Sequence, residues 1–142
     1  MSYLDPELVA FWTARLGETE QIARAAAGPD GLNDQWDAEP YSDNDANLVI
    51  RGKGWLTGPG PGAIDRAPAF HAAHNDPAAV LRSVKADRAI LAACLETLQS
   101  EDSHDYLTEG GSGEEYDLAR FIVRQRASVY STHPDYQEKR KP

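Results

Sequence analysis

Apolar positions along this chain fall into three stretches of helical period, separated by polar, turn-rich segments. Leu8, Trp12, Leu16, Thr19, Ile22 and Ala26 recur at helical spacing and predict a core-facing helix over residues 6–27, with Phe11 widening the stripe. Asp5 suits the N-cap and Pro6 the first helical position. Leu4 and Val9 are spaced for a hydrophobic staple, and Gly28-Pro29 should end the helix. The longest apolar repeat opens after His71-Ala-Ala-His74-Asn75-Asp76-Pro77 and predicts a second helix over 77–100. Its Leu81, Val84, Arg88, Leu91, Leu95 and Leu98 alternate by three and four, a heptad-like seam broken by Arg88. Such a helix either faces the core of a small bundle or forms a dimer seam in which Arg88 meets an acidic residue of the partner.

A third helix is predicted over 114–132. Ser112-Gly-Glu-Glu115 has the capping-box pattern, and the expected core face is Leu118, Phe121, Ile122, Gln125 and Val129. Glu114, Glu115 and Asp117 near its start and Arg124 and Arg126 near its end match the helix dipole. Pro134 disfavours helix at His133 and closes it.

The segment between the first two helices reads differently. Gln35–Ala38 and Asn47–Arg51 are strand candidates flanking an acidic turn from Glu39 to Asp45, a hairpin within residues 34–57. Trp55-Leu56 offers a third short strand. A Gly/Pro loop follows at 58–67; an acidic loop occupies 101–113 and a C-terminal tail 133–142. The expected fold is a single α+β domain over residues 1–142, three helices packed around a small antiparallel β-hairpin.

Composition narrows the function classes. At 142 residues the chain is long enough for one core without staples. A net charge of −9 disfavours direct binding to a nucleic-acid backbone, since phosphate contacts need clustered Lys and Arg. The one basic cluster, Lys139-Arg140-Lys141, is terminal and reads as a solubilising tail. An acidic chain can also mimic nucleic acid toward a basic partner, although solubility is the commoner cause of such charge. The single cysteine, Cys94, rules out an internal disulfide and any CxxC site, and fits a reduced compartment. The N-terminus lacks the pattern of a signal peptide, and no apolar run approaches the roughly 18 residues of a membrane span, so no membrane role is expected.

Candidate chemistry is sparse. His71 and His74 share a face if helical; with Asp76 and His133, and with Asp135 nearby, they make a candidate divalent-metal set. The spacing is not that of HExxH, and a packing or helix-end role is the commoner use of histidines so spaced. Asp43, Asp45 and Asn47 match the first EF-hand positions, but Leu48 stands where glycine is needed and Gly54 where glutamate is needed. Gly52-Lys53-Gly54 lacks the order of a P-loop, and no GxSxG elbow occurs. No cofactor is implied. Cys94 lies on the apolar side of the second helix, where a buried inert thiol is expected. Tyr130 and Tyr136 bracket His133, either as a partner-binding patch or as an anchor for the tail.

Two stretches together resemble a known family. They are His74-Asn-Asp76-Pro77-Ala-Ala-Val80-Leu81-Arg82, continuing through Leu91, and Tyr130-Ser-Thr-His133-Pro134-Asp135-Tyr136-Gln-Glu138. Phe11-Trp12-Thr-Ala-Arg15-Leu16 and Glu20 fit the same pattern. These residues resemble domain-of-unknown-function family 6221, small uncharacterised proteins of actinobacteria and their phages. Asn75 is inserted relative to the family pattern, and Ser131-Thr132 replaces the usual Ala-Asp. Residues 101–113 hold no cysteine where many members carry one, so no metal role can be transferred from such cysteines. The resemblance marks His74, Asp76, His133 and Tyr136 and implies an actinobacterial or phage source, without an activity.

The function expected from these residues is a non-enzymatic protein-interaction or structural accessory module in the host cytoplasm, with a place in the virion left open. A protein partner or self-association is expected, through Arg88, Tyr130 or Tyr136. The alternatives are a metal-binding protein or hydrolase centred on His71, His74, Asp76 and His133, and an acidic nucleic-acid mimic.

Overall fold

A computed structural model describes residues 5–40, 47–53, 56–57, 64–102 and 113–136. Among them the order is α1 (Pro6–Ala26), β1 (Asp37–Pro40), β2 (Asn47–Arg51), β3 (Ile64–Asp65), α2 (Arg66–His74), α3 (Pro77–Asp102) and α4 (Glu114–Ser128). The α+β class is as expected, with four helices rather than three and a three-stranded antiparallel sheet rather than a hairpin. The contacts gather into two compact units: a terminal unit from within residues 1–17 and 86–142, and a central unit from 18–85.

In the central unit, β2 lies between β1 and β3. Leu48, Val49 and Ile50 are all buried, the pattern of a strand covered on both faces rather than an alternating one. β1 pairs with it from Asp37 opposite Arg51 to Pro40 opposite Leu48, two residues later than the sequence pattern suggests. Pro40 is tolerated because β1 is an edge strand. The third strand is Ile64–Asp65, with Ile64 opposite Leu48, and not Trp55-Leu56. Trp55 lies outside the described residues, while the Leu56 N–H donates to Ile50 O at 2.9 Å.

α2 occupies a stretch expected to be irregular. It follows β3 directly, with Asp65 at the cap position but no side-chain cap, and buries Ala69. Asp76 then caps α3: its Oδ1 accepts from the Ala79 N–H at 2.8 Å, and Pro77 takes the first helical position as expected.

α1 begins as predicted, with Asp5 Oδ1 accepting from the Leu8 N–H at 3.1 Å. Leu4, the other half of the expected staple with Val9, lies outside the described residues. Leu8, Trp12 and Leu16 are buried, but the stripe then passes through Ala23 and Ala27, not Ile22 and Ala26; Ile22 is exposed. Gly28 turns the chain at φ 84°, a conformation that suits glycine, and so ends the helix.

In the terminal unit, α3 buries Asp87, Leu91, Cys94 and Leu98. The seam is heptad-like, but its polar member is Asp87; Arg88 is exposed. α4 departs most from expectation. Its buried face is Tyr116, Ala119, Val123 and Ala127, and it ends at Ser128 in a run of turns before Pro134. The cap position falls on Gly113 without a side-chain cap; Ser112, of the expected capping box, lies outside the described residues. So do the Gly/Pro loop at 58–63, the acidic segment 103–112 and the tail from 137. No helix among the described residues is long and apolar enough to cross a membrane.

Candidate functional site

Three places in the described residues gather polar or aromatic groups. In the central unit, an open groove of about 560 Å³ runs between β1 and α2. It is lined by Trp36, Asp37, Ala38, Phe70, His71, Ala73 and His74. The two histidines are three residues apart on α2 and reach the same groove, as the spacing implied. Arg66 lies over the Phe70 ring at 5.1 Å.

Asp76 has another task. While Oδ1 caps α3, Oδ2 accepts from the Trp36 N–H at 3.0 Å. Both oxygens thus hold backbone amides, which ties the approach to β1 onto the start of α3. Asn33 completes this corner. Its side-chain oxygen accepts from the Lys53 N–H at 2.7 Å, and its backbone oxygen accepts from Trp36 Nε1 at 2.9 Å. A Cβ at Gly52 would collide with the Asn33 side-chain amide and force it to shift. The Gly52-Lys53 turn therefore serves packing.

The second place is in the terminal unit, where the His133-Pro-Asp-Tyr136 segment folds onto α1. The Phe11 ring meets His133 edge-on at 5.8 Å and Tyr136 edge-on at 5.5 Å. The Arg15 guanidinium stands 5.4 Å from the Phe11 centroid and is hydrogen-bonded to His133 Nε2. The Asp135 N–H lies 3.1 Å from His133 Nδ1. Tyr136 is buried and Tyr130 is half-buried. Asp135 is exposed.

Of the candidate metal set, His71, His74 and Asp76 thus belong to the central unit and His133 to the terminal one. Among the described residues, no three His, Cys, Asp or Glu side chains gather as a metal ion requires. Cys94 is buried, and burial pushes its thiol upward, away from the thiolate needed for nucleophilic attack.

The third place is the outer face of α4. Leu118, Phe121 and Val129 are 59%, 58% and 65% exposed. Beside them a shallow hollow of about 500 Å³ is lined by Asp117, Arg120, Phe121, Arg124 and Gln125. Arg120 bonds to Asp117 at 2.6 Å within this face. Behind the helix, Arg126 pairs at 2.5 Å with Asp87, a carboxylate only 6% exposed.

The sequence pattern missed Arg15 and Phe11 as partners of the tail, Asn33 as a hub, and the Asp87–Arg126 pair. The last was missed because the repeat was set on Arg88, one residue from the buried Asp87.

Comparison with known proteins places these features in a family. The model for a family of unknown function, DUF6221, matches residues 5–142, and the chain belongs to that family. Neither the curated proteins nor the solved structures yield a match.

Proposed function

We propose that this chain is a non-enzymatic interaction module, an accessory or structural protein that acts by docking onto another protein surface. The observation that carries this reading is the outer face of α4. Large apolar side chains are expensive to leave in water, each worth roughly 1.5–3 kcal/mol on full burial. α4 nevertheless turns Leu118 and Phe121 outward, with Val129 exposed just past its end, and spends small residues, Ala119 and Ala127, on its own core. An apolar stripe rimmed by charged groups is the usual form of a protein-binding patch. The resemblance of the chain's two ends to actinobacterial and phage proteins suggests a role in such a host or its phage, within the cytoplasm.

The test is native mass spectrometry on protein purified gently from its own cells, with Leu118→Ser/Phe121→Ser prepared in parallel. A stoichiometric protein complex, either with another protein or with further copies of the chain, is expected for the wild type and lost in the variant. A bare monomer there, and still at several hundred micromolar by sedimentation, would overturn the reading. So would a bound metal or small molecule without a protein partner, which would turn attention to the groove of His71 and His74.

A further inference from the structure

We infer that the outer face of α4 docks onto the same face of a second copy of this chain, with the two helices antiparallel. This rests on the interaction-module reading above and names its partner. The argument comes from how charge is distributed around the helix. Tyr116 and Val123, one heptad apart, face the protein's own core. The opposite side of the helix is therefore centred on Leu118, Phe121 and Gln125, at a, d and a spacing. Asp117 and Arg124, also one heptad apart, flank that stripe on one and the same side.

In an antiparallel pair, flanking positions on the same side of the two helices face each other. A two-fold axis between Arg120 and Phe121 sets Asp117 against Arg124 of the partner, and symmetry repeats the pair. A parallel pair would instead set each end of the helix beside its own copy, the acidic Glu114, Glu115 and Asp117 together and the basic Arg124 and Arg126 together. The antiparallel arrangement also opposes the helix dipoles. In it, Leu118 of one protomer packs beside Phe121 of the other and enters the hollow lined by Phe121, Arg124 and Gln125.

The seam is short. A 15-residue helix is about 22 Å long at about 1.5 Å per residue, and it covers less than the roughly 1,600 Å² of a standard interface. The net charge of −9 on each copy opposes association. The expected dimer is therefore a weak, concentration-dependent one, in the micromolar range.

Sedimentation equilibrium of the full chain, from low micromolar to several hundred micromolar, tests this. The wild type is expected to show a monomer–dimer equilibrium. Arg124→Asp should loosen it at least about tenfold by placing Asp117 against a second carboxylate. Arg82→Asp makes the same change in net charge at an exposed residue outside α4 and should loosen it far less. The double swap Asp117→Arg/Arg124→Asp keeps the wild-type net charge and should restore dimerisation. Circular dichroism checks that each variant is folded. Should Asp117→Arg/Arg124→Asp not fold, Phe121→Lys gives the second reading, with loss of the dimer expected. A wild type that is monomeric throughout, or a dimer indifferent to both Arg124→Asp and Phe121→Lys, overturns the inference. A monomeric wild type that still carries a different protein from its own cells, lost with Leu118→Ser/Phe121→Ser, overturns it and leaves the interaction-module reading standing.

Discussion

Asp76 holds two backbone amides that belong to different segments, so its replacement has two separable costs. Asp76→Ala removes the α3 cap, worth about 1 kcal/mol, and leaves the Trp36 N–H without its acceptor, worth about 1–2 kcal/mol more. Asp76→Asn keeps a side-chain oxygen for one amide and is expected to lose about half as much. Urea unfolding midpoints at unchanged m-value measure both. Gly52 is a second point at which one atom decides. Gly52→Ala would drive a methyl into Asn33 Oδ1 and displace it from the Lys53 N–H. The expected loss is about 1–3 kcal/mol, as for overpacking. In Asn33→Ala the obstruction is gone, so the added cost of Gly52→Ala should fall toward the ordinary Gly-to-Ala difference. A double-mutant cycle on the same urea curves would show it, and equal costs in both backgrounds would refute the clash.

Elements with a chemical start signal were legible in the sequence. α1 and α3 each begin at an aspartate followed by proline, and both are where the pattern put them. α2 was not legible: it is nine residues long, carries Pro68 in its first turn, has no side-chain cap, and buries only Ala69. β1 was displaced in the reading because Pro40 looks like a breaker, although an edge strand has room for a residue without an N–H on its open side. The face of α4 was read inside out. Periodicity locates an apolar stripe but does not say what covers it, and the larger apolar residues were assigned to the core on size. Here Ala119 and Ala127 join Tyr116 and Val123 on the buried face, and Leu118 and Phe121 face out. Much the same holds for the candidate site. The shared face of His71 and His74 follows from local spacing, whereas Arg15 on His133 depends on a contact between distant parts of the chain. The inside and outside of α4 can be told apart by stability. Leu118→Ala, on the exposed face, should change it by less than about 0.5 kcal/mol. Val123→Ala should cost about 1–2 kcal/mol and Ala119→Leu about 1–3 kcal/mol. Thermal melts at low concentration, where self-association does not contribute, give the comparison; a larger loss at Leu118 than at Val123 would restore the reading from size.

At the scale of the whole chain, the two units differ in how their contacts span the sequence. The central unit is built from one continuous stretch, residues 18–85. The terminal unit joins the first seventeen residues to everything after residue 85. Its closure is visible at Phe11, which packs against both His133 and Tyr136, more than a hundred residues away in sequence. Such contacts carry a loop-closure entropy that must be met before they contribute. The His133–Tyr136 segment therefore acts as a clasp on α1, and packing is one cause for a histidine and a tyrosine at these positions. A clasp makes a distinct prediction. Tyr136→Ala removes a buried ring near the chain's end and should cost about 2–3 kcal/mol, toward the low side of aromatic truncations because the neighbouring backbone can relax. Phe11→Ala should cost a similar amount. The double variant should lose about 1 kcal/mol less than the sum, since each single change already removes the edge-on ring pair. Hydrogen exchange on the variants should show faster exchange over the first turns of α1, within residues 6–15, while β2 keeps its protection. Additive losses, or exchange raised equally in β2, would mean that the tail only rests on α1 and that the pattern of its histidine and tyrosine has another cause.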